Sequence, residues 1–133
     1  MLSDGEIVAF LRGALPGLIA VYRYGSTARS QERAGSDLDI AILATAPIDA
    51  VARFELQERL AARVGCDVDL LDLRRSTTVM AMQVISTGIV LAVFEPAPHE
   101  AFEDHTYSAY ARLNEERREI LQQIRREGRI YGG

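Results

Sequence analysis

The sequence predicts an α/β (α+β) fold, a small mixed sheet flanked by helices and followed by a long C-terminal helix. Three observations predict it. Helical and strand periodicities alternate as α-β-α-β-α-β-α-β-α along the chain. Residues Ile48 to Val64 repeat apolar side chains at helical spacing, with Ile48, Ala52, Leu56, Leu60 and Val64 on one stripe. Beyond Pro96 and Pro98 a helical pattern runs from about Glu100 to Glu127. A chain of 133 residues is expected to form one domain (1–133), with a core over 1–95 and a helical tail over 98–133.

The elements follow in order. Ser3 to Leu15 carries Ile7, Phe10, Leu11 and Ala14 at helical spacing, with Ser3 or Asp4 as the N-cap. Pro16-Gly17 breaks that helix. Leu18 to Tyr24 is rich in β-branched and aromatic residues and reads as a strand, ended by Gly25-Ser26. A short helical turn through Ala28-Arg29 and a polar loop from Gln31 to Ser36 come next. Asp37 to Leu43 reads as a central strand, apolar on both faces.

The amphipathic helix follows, its polar face assigned to Arg53, Gln57, Arg59 and Arg63. Asp67 to Leu73 is a third strand. Thr77 to Thr87 is a helix closed by Gly88, read as a C′ glycine. Ile89 to Phe94 is the fourth strand. The last helix has an apolar stripe of Tyr110, Leu113, Ile120, Leu121 and Ile124.

Composition removes several function classes. No apolar run reaches the roughly 18 residues of a membrane span, and Met1 to Glu6 has no basic region or cleavage site, so a cytoplasmic protein is expected. A net charge of −4 argues against binding nucleic acid directly through a basic face. All fifteen basic residues are arginine, which excludes any mechanism that needs a lysine. The single cysteine, Cys66, reads as a small core side chain.

Three features that carry chemistry fall at the ends of successive strands. Gly25-Ser26 lies where a strand turns, and glycine lets backbone approach a phosphate while the serine hydroxyl and following amides donate to it. Asp37-Leu38-Asp39 follows, and residues two apart on a strand point the same way, so the two carboxylates converge. Asp67-Val68-Asp69-Leu70-Leu71-Asp72 adds further carboxylates; Asp67 and Asp69 share one face and Asp72 takes the other. With Asp69 beside Asp37 and Asp39, three carboxylates surround one point. Such crowding raises pKa values, and Mg²⁺ shared between carboxylates and substrate phosphates relieves it. Singly, a Gly-Ser is an ordinary turn and an Asp-x-Asp an ordinary strand cap; the joint pattern is what carries information.

The segment Gly25-Ser26-Thr27-Ala28-Arg29 … Ser36-Asp37-Leu38-Asp39-Ile40-Ala41-Ile42 resembles the Gly-Ser-x10-Asp-x-Asp signature of the polymerase β-like nucleotidyltransferase superfamily. Val68 to Leu73 and the Gln83…Gly88 passage resemble its minimal branch, the MNT antitoxin partners of HEPN ribonuclease toxins. The likeness is most specific over residues 22–43 and continues through about residue 94. The final helix, with Tyr110, Leu113, Glu116, Arg117 and residues 120–126, is similar to the tail of MntA-type antitoxins.

The resemblance implies a polymerase β-like fold and transfer of AMP from ATP to a tyrosine of a HEPN toxin, with formation of a hetero-oligomer. It implies that Gly25 and Ser26 hold the nucleotide phosphates; Arg29 reads either as a further triphosphate contact or as a helix-surface arginine paired with an acid. Asp37 and Asp39 would bind two Mg²⁺ positions. Asp69 would be the third carboxylate, holding one ion and assisting deprotonation of the acceptor, with Asp67 as runner-up. Two other readings compete: an antitoxin acting by complex formation alone, and a transferase for a small molecule, which generally needs an added domain to hold its acceptor.

The remaining residues read more plainly. His99 and His105 are expected to be exposed or capping, and Tyr110 to pack. Tyr107 and Tyr131 stay open between packing and a partner surface. Arg117-Arg118 and Arg125-Arg126, interspersed with glutamates, suit a solvated helix or a docking helix.

Overall fold

The computed structural model describes residues 2–25 and 37–131. Helix α1 (Asp4–Ala14) begins with a capping box. Ser3 Oγ accepts the Glu6 N–H and Glu6 Oε1 accepts the Ser3 N–H, each at 3.2 Å, so two otherwise orphaned donors are satisfied. Those bonds hold the Glu6 carboxyl below its ordinary range. Strand β1 (Leu18–Tyr24) has the bounds read from its composition. Strand β2 (Leu38–Ala44) is displaced by one residue from the expected segment.

Helix α2 (Ala50–Val64) starts two residues after Ile48, because Asp49 is its N-cap and accepts the N–H groups of Val51 and Ala52. Strand β3 (Val68–Asp72) runs into a 3₁₀ turn (Leu73–Arg75), and helix α3 (Thr78–Thr87) follows with Thr77 as N-cap. Strand β4 (Ile89–Val93) leads to helix α4 (Pro96–Tyr131). That helix opens four residues earlier than the sequence pattern indicates. Pro96 starts it instead of breaking it, since a first-turn proline lacks only an N–H that has no helical partner anyway.

The strands form one mixed sheet in the order β3-β2-β1-β4. β1 is antiparallel to both β2 and β4, while β2 and β3 are parallel. One face is covered by α1 and α2, where Ile7, Leu11, Leu56, Leu60 and Val64 pack on Leu38, Ile40, Ile42 and Leu70. Cys66 packs against the same cluster. The other face is covered by α3 and the start of α4, where Ala81, Val84 and Phe102 meet Ile19, Tyr22, Tyr24, Ala41 and Leu43.

Four expectations are corrected by this packing. Arg53 and Gln57 do not belong to a solvated face. Gln57 Oε1 accepts the Leu70 N–H at 2.9 Å, and Arg53 Nη1 donates to the Leu70 carbonyl at 2.8 Å. The two side chains thus satisfy backbone groups on the outer side of β3, which would otherwise be an open sheet edge. Ala52, placed on the apolar stripe by spacing, is exposed.

Gly88 is extended (φ −81°, ψ 173°), not left-handed. Glycine is needed there for closeness: an added Cβ would stand 2.5 Å from the Val84 carbonyl oxygen and 3.0 Å from that of Arg23. The stripe of α4 divides as well. Tyr110 is half-buried, whereas Leu113, Ile120, Leu121 and Ile124 are 40–57% exposed.

Candidate active site

The register of the sheet assembles the site. Tyr24 on β1 pairs with Asp39 on β2, and Asp39 pairs with Asp69 on β3. Strands lie about 4.8 Å apart, so these three residues form a single row across the sheet. Alternation puts all three on the face covered by α3 and α4, next to the buried Ala41 and Leu43. Here Tyr24 donates its phenolic hydrogen to Asp69 Oδ2 at 3.3 Å, across the intervening strand.

Gly25 closes β1 beside this row with φ +76°, a left-handed conformation that disfavours a side chain. There is a second reason for glycine. A Cβ at this position would collide with the Asp39 carboxylate. The glycine therefore makes room for the Asp39 carboxylate as well as allowing the chain to turn.

The electrostatics fit a site built to receive positive charge. The Asp39 carboxyl is raised above its ordinary value, first by burial and then by the charges of Asp69 and Asp37. Tyr24 is also pushed up, by burial and by the same acids, Asp69 and Asp39, so it remains a hydrogen-bond donor at neutral pH. Asp37 is exposed, immediately before β2, and close enough to act on Asp39. Among the described residues no three His, Cys, Asp or Glu side chains stand as a ready-made metal cage. Two adjacent carboxylates with a third nearby, lacking a basic residue among the causes of the shift, instead suit a hard cation that shares its ligands with substrate phosphate.

The other expected site residues divide by position. Ser26 and Arg29 lie outside the described residues. Asp67 is exposed ahead of β3, and its carbonyl accepts the Leu38 N–H at 2.9 Å. Asp72, on the opposite face from Asp69, is 2% exposed. Its two oxygens accept the N–H groups of Ile48 (2.8 Å) and Arg74 (3.0 Å), so it ties the β2–α2 connection to the turn after β3.

Sequence reasoning passed over Tyr24. The signal was available: Tyr24 directly precedes Gly25, and antiparallel pairing of β1 with β2 brings it level with Asp39. His99 also departs from expectation. It is half-buried, 2.7 Å from the Tyr22 hydroxyl and 3.1 Å from Glu103 Oε2, and Tyr22 donates to that same glutamate oxygen at 2.7 Å. This network pins the first turns of α4 to the middle of β1. Nothing in the spacing of a histidine and a glutamate on a helix points to a tyrosine 77 residues earlier.

A glycine turn, a row of carboxylates and a mixed sheet between helices define a nucleotidyltransferase class of domain, and comparison with known proteins agrees. The polymerase β nucleotidyltransferase family profile matches residues 6–95. Protein adenylyltransferase MntA of Shewanella oneidensis is 37% identical over 123 residues, covering 92% of this chain and 88% of that protein. A crystal structure of a toxin–antitoxin with AMP-PNP aligns with a TM-score of 0.82 at 36% identity, over 92% of this chain and 98% of that one. The antitoxin bound to a tri-AMPylated Shewanella oneidensis HEPN toxin aligns with a TM-score of 0.75 at 36% identity, over 91% of this chain and 94% of that one. The chain belongs to the polymerase β nucleotidyltransferase family and, within it, to the MntA-like minimal nucleotidyltransferases of HEPN/MNT toxin–antitoxin systems.

Proposed function

We propose that this protein is the antitoxin of a HEPN-type toxin and works by transferring AMP from ATP to a tyrosine of that toxin, as well as by binding it. The observation that carries the reading is the row Tyr24–Asp39–Asp69 beside the left-handed Gly25. The relatives support the rest. An MntA protein adenylyltransferase is 37% identical to it. One structural neighbour is described with AMP-PNP, and another with a tri-AMPylated HEPN toxin.

In this reading Gly25, Ser26 and Arg29 hold the ATP phosphates, and Asp37 and Asp39, with Asp69, hold Mg²⁺. Bound there, Mg²⁺ supplies charge neutralisation at the attacking and leaving oxygens. Asp69 accepts the proton of the toxin hydroxyl, and Tyr24 orients Asp69 through its hydrogen bond. The acceptor oxygen forms a bond to the α-phosphorus. The bond from that phosphorus to the bridging oxygen breaks, and pyrophosphate leaves. Asp39, half-buried among like charges, is a strained acid before substrate arrives, so binding of cation and nucleotide relieves a cost already present in the fold.

The exposed apolar residues of α4, Leu113, Ile120, Leu121 and Ile124, favour complex formation alongside catalysis. No helix among the described residues is long and apolar enough to cross a membrane.

The test is incubation with ATP, Mg²⁺ and the toxin encoded beside it, followed by intact mass measurement. A gain of AMP on the toxin, lost on omitting Mg²⁺ and in Asp39→Asn, is expected. Absence of any gain, with Asp39→Asn protecting cells as well as wild type, overturns catalysis.

A further inference from the structure

Beyond Asp69 the row of site residues does not end at a wall. It opens into a groove of about 280 Å³ along the outer side of β3, lined by Asp69, Leu70, Asp72, Ala50, Arg53 and Arg75. That volume is close to the lower end of small-molecule sites, about 300 Å³. In a chain of net charge −4 this groove places two arginines next to a catalytic carboxylate.

Their spacing is informative. Arg53 is level with Leu70, one residue from Asp69, because its Nη1 donates to the Leu70 carbonyl at 2.8 Å. Arg75 lies past Asp72, anchored by Nε to the Ile48 carbonyl at 2.7 Å. At about 3.3 Å of rise per residue, Asp69 to Asp72 covers about 10 Å, so the two cations mark successive positions leading away from the acid. Each guanidinium has five N–H donors. Arg53 is engaged through Nη1 and Arg75 through Nε, leaving the rest of each fork without a protein acceptor among the described residues. Planar forks of this kind suit phosphate oxygens.

Position across the sheet says which phosphates. Gly25 lies on the β1 side of Asp39, whereas the groove lies on the far side of Asp69, where the acceptor hydroxyl has to be. A toxin tyrosine not yet modified brings no phosphate to this groove. A toxin that already carries AMP brings one phosphate with each nucleotide.

We propose that the groove formed by Arg53 and Arg75 is an acceptor-side subsite for the phosphates of AMP already attached to the toxin, holding the end of the growing adenylate so that its ribose hydroxyl reaches Asp69. The proposal rests on the adenylyltransferase reading above. In each later cycle the ribose oxygen forms the new bond to the α-phosphorus of ATP, pyrophosphate leaves, and the ribose hydroxyl proton passes to Asp69.

The experiment is a time course of the full chain with its toxin, ATP and Mg²⁺. Intact mass gives the number of AMP units, and fragmentation gives their position. Wild type is expected to build more than one AMP on one residue. Arg75→Gln should lower the ratio of multiply to singly modified toxin by about tenfold, an effect of about 1.4 kcal/mol, and Arg75→Lys should recover part of it. Separately, a 5′-phosphorylated diadenylate titrated into the protein should bind more weakly to Arg75→Gln than to wild type, a readout independent of turnover. An unchanged ratio in Arg75→Gln overturns the subsite. So does an equal fall in first and later additions, which would mean that the groove holds the unmodified toxin segment. Single additions on separate residues overturn it as well. Failure of the wild type to add any AMP fails the adenylyltransferase reading itself and is thereby distinguished from these outcomes.

Discussion

The two faces of the sheet are built on opposite terms. Under α1 and α2 the strands present Leu38, Ile40, Ile42, Val68 and Leu70, all at most 6% exposed, against the apolar stripes of two helices. Under α3 and α4 the same strands present Tyr22, Tyr24, Asp39 and Asp69, and every one is engaged in a polar contact or bears a like-charge cost. One face supplies burial, the dominant favourable contribution to folding. The other gives some of it up to hold Asp39 and Asp69 side by side at a cost in like charge. Because strand alternation separates the two sets by single residues, a substitution at one position should disturb either stability or chemistry, seldom both.

The sharpest way to break that division is Asp39→Asn. On the proposed reading transfer should fall by about a thousandfold or more, since a ligand of the cation that would meet the developing negative charge is lost. Stability should move the other way. A carboxyl raised in the fold keeps its proton where the unfolded chain has lost it, so stability declines as pH rises through that window, and the ionised acid is a net cost at neutral pH. The neutral amide removes that cost. A higher melting temperature than wild type without nucleotide, together with the loss of transfer, is expected; a lower one would mean that Asp39 supports the fold.

Leu60→Ala asks the converse question of the other face. Leu60 is fully buried among α1, α2 and the sheet, so truncation should cost about 2–5 kcal/mol by denaturant titration. The activity of the molecules that stay folded should match wild type once corrected for the folded fraction. A loss of activity in excess of that correction would show that the two faces are coupled.

What the sequence made legible follows from how local each signal is. β1 was readable residue by residue because β-branched and aromatic residues between Pro16-Gly17 and Gly25 admit few alternatives. The carboxylate row was readable from strand parity, which needs only a period of two. The roles of Arg53 and Gln57 were hidden, because a polar residue on a helix reads as solvated until the open edge of β3 comes beside it. The Tyr22–His99–Glu103 network was hidden for the same reason at longer range. On α4, Leu113 to Ile124 was legible as an apolar stripe but not as an exposed one, since periodicity gives a face and not what covers it.

Within the chemical face the two tyrosines separate positioning from support. Tyr24→Phe removes the donor to Asp69 while leaving the ring that packs beside Ala41 and Leu43. A fall in kcat of about tenfold is expected, in line with loss of a hydrogen bond to a charged group, with KM for ATP and the melting temperature nearly unchanged. A KM effect without a kcat effect would place Tyr24 against the nucleotide instead of the acid.

Tyr22→Phe should give the smallest effect and the most diagnostic pH profile. The Tyr22 hydroxyl is held up by burial first, then by its bond to Glu103 and the charges of Glu103 and Tyr107. A phenol raised in the fold stabilises fully below the unfolded value of about 10, and its contribution is lost as pH rises beyond that. At neutral pH, removing the hydroxyl leaves His99 and Glu103 without it, at a cost of about 1 kcal/mol, because both are partly exposed and water takes up part of the loss. Above about pH 10 the variant should lose stability less steeply than wild type, retaining only the slope that Tyr24 contributes. Transfer activity at neutral pH should be near wild type, because the network sits at the middle of β1, two residues back from Tyr24, which heads the row. Identical alkaline limbs in the two proteins would show that α4 is held by its apolar contacts through Phe102 alone.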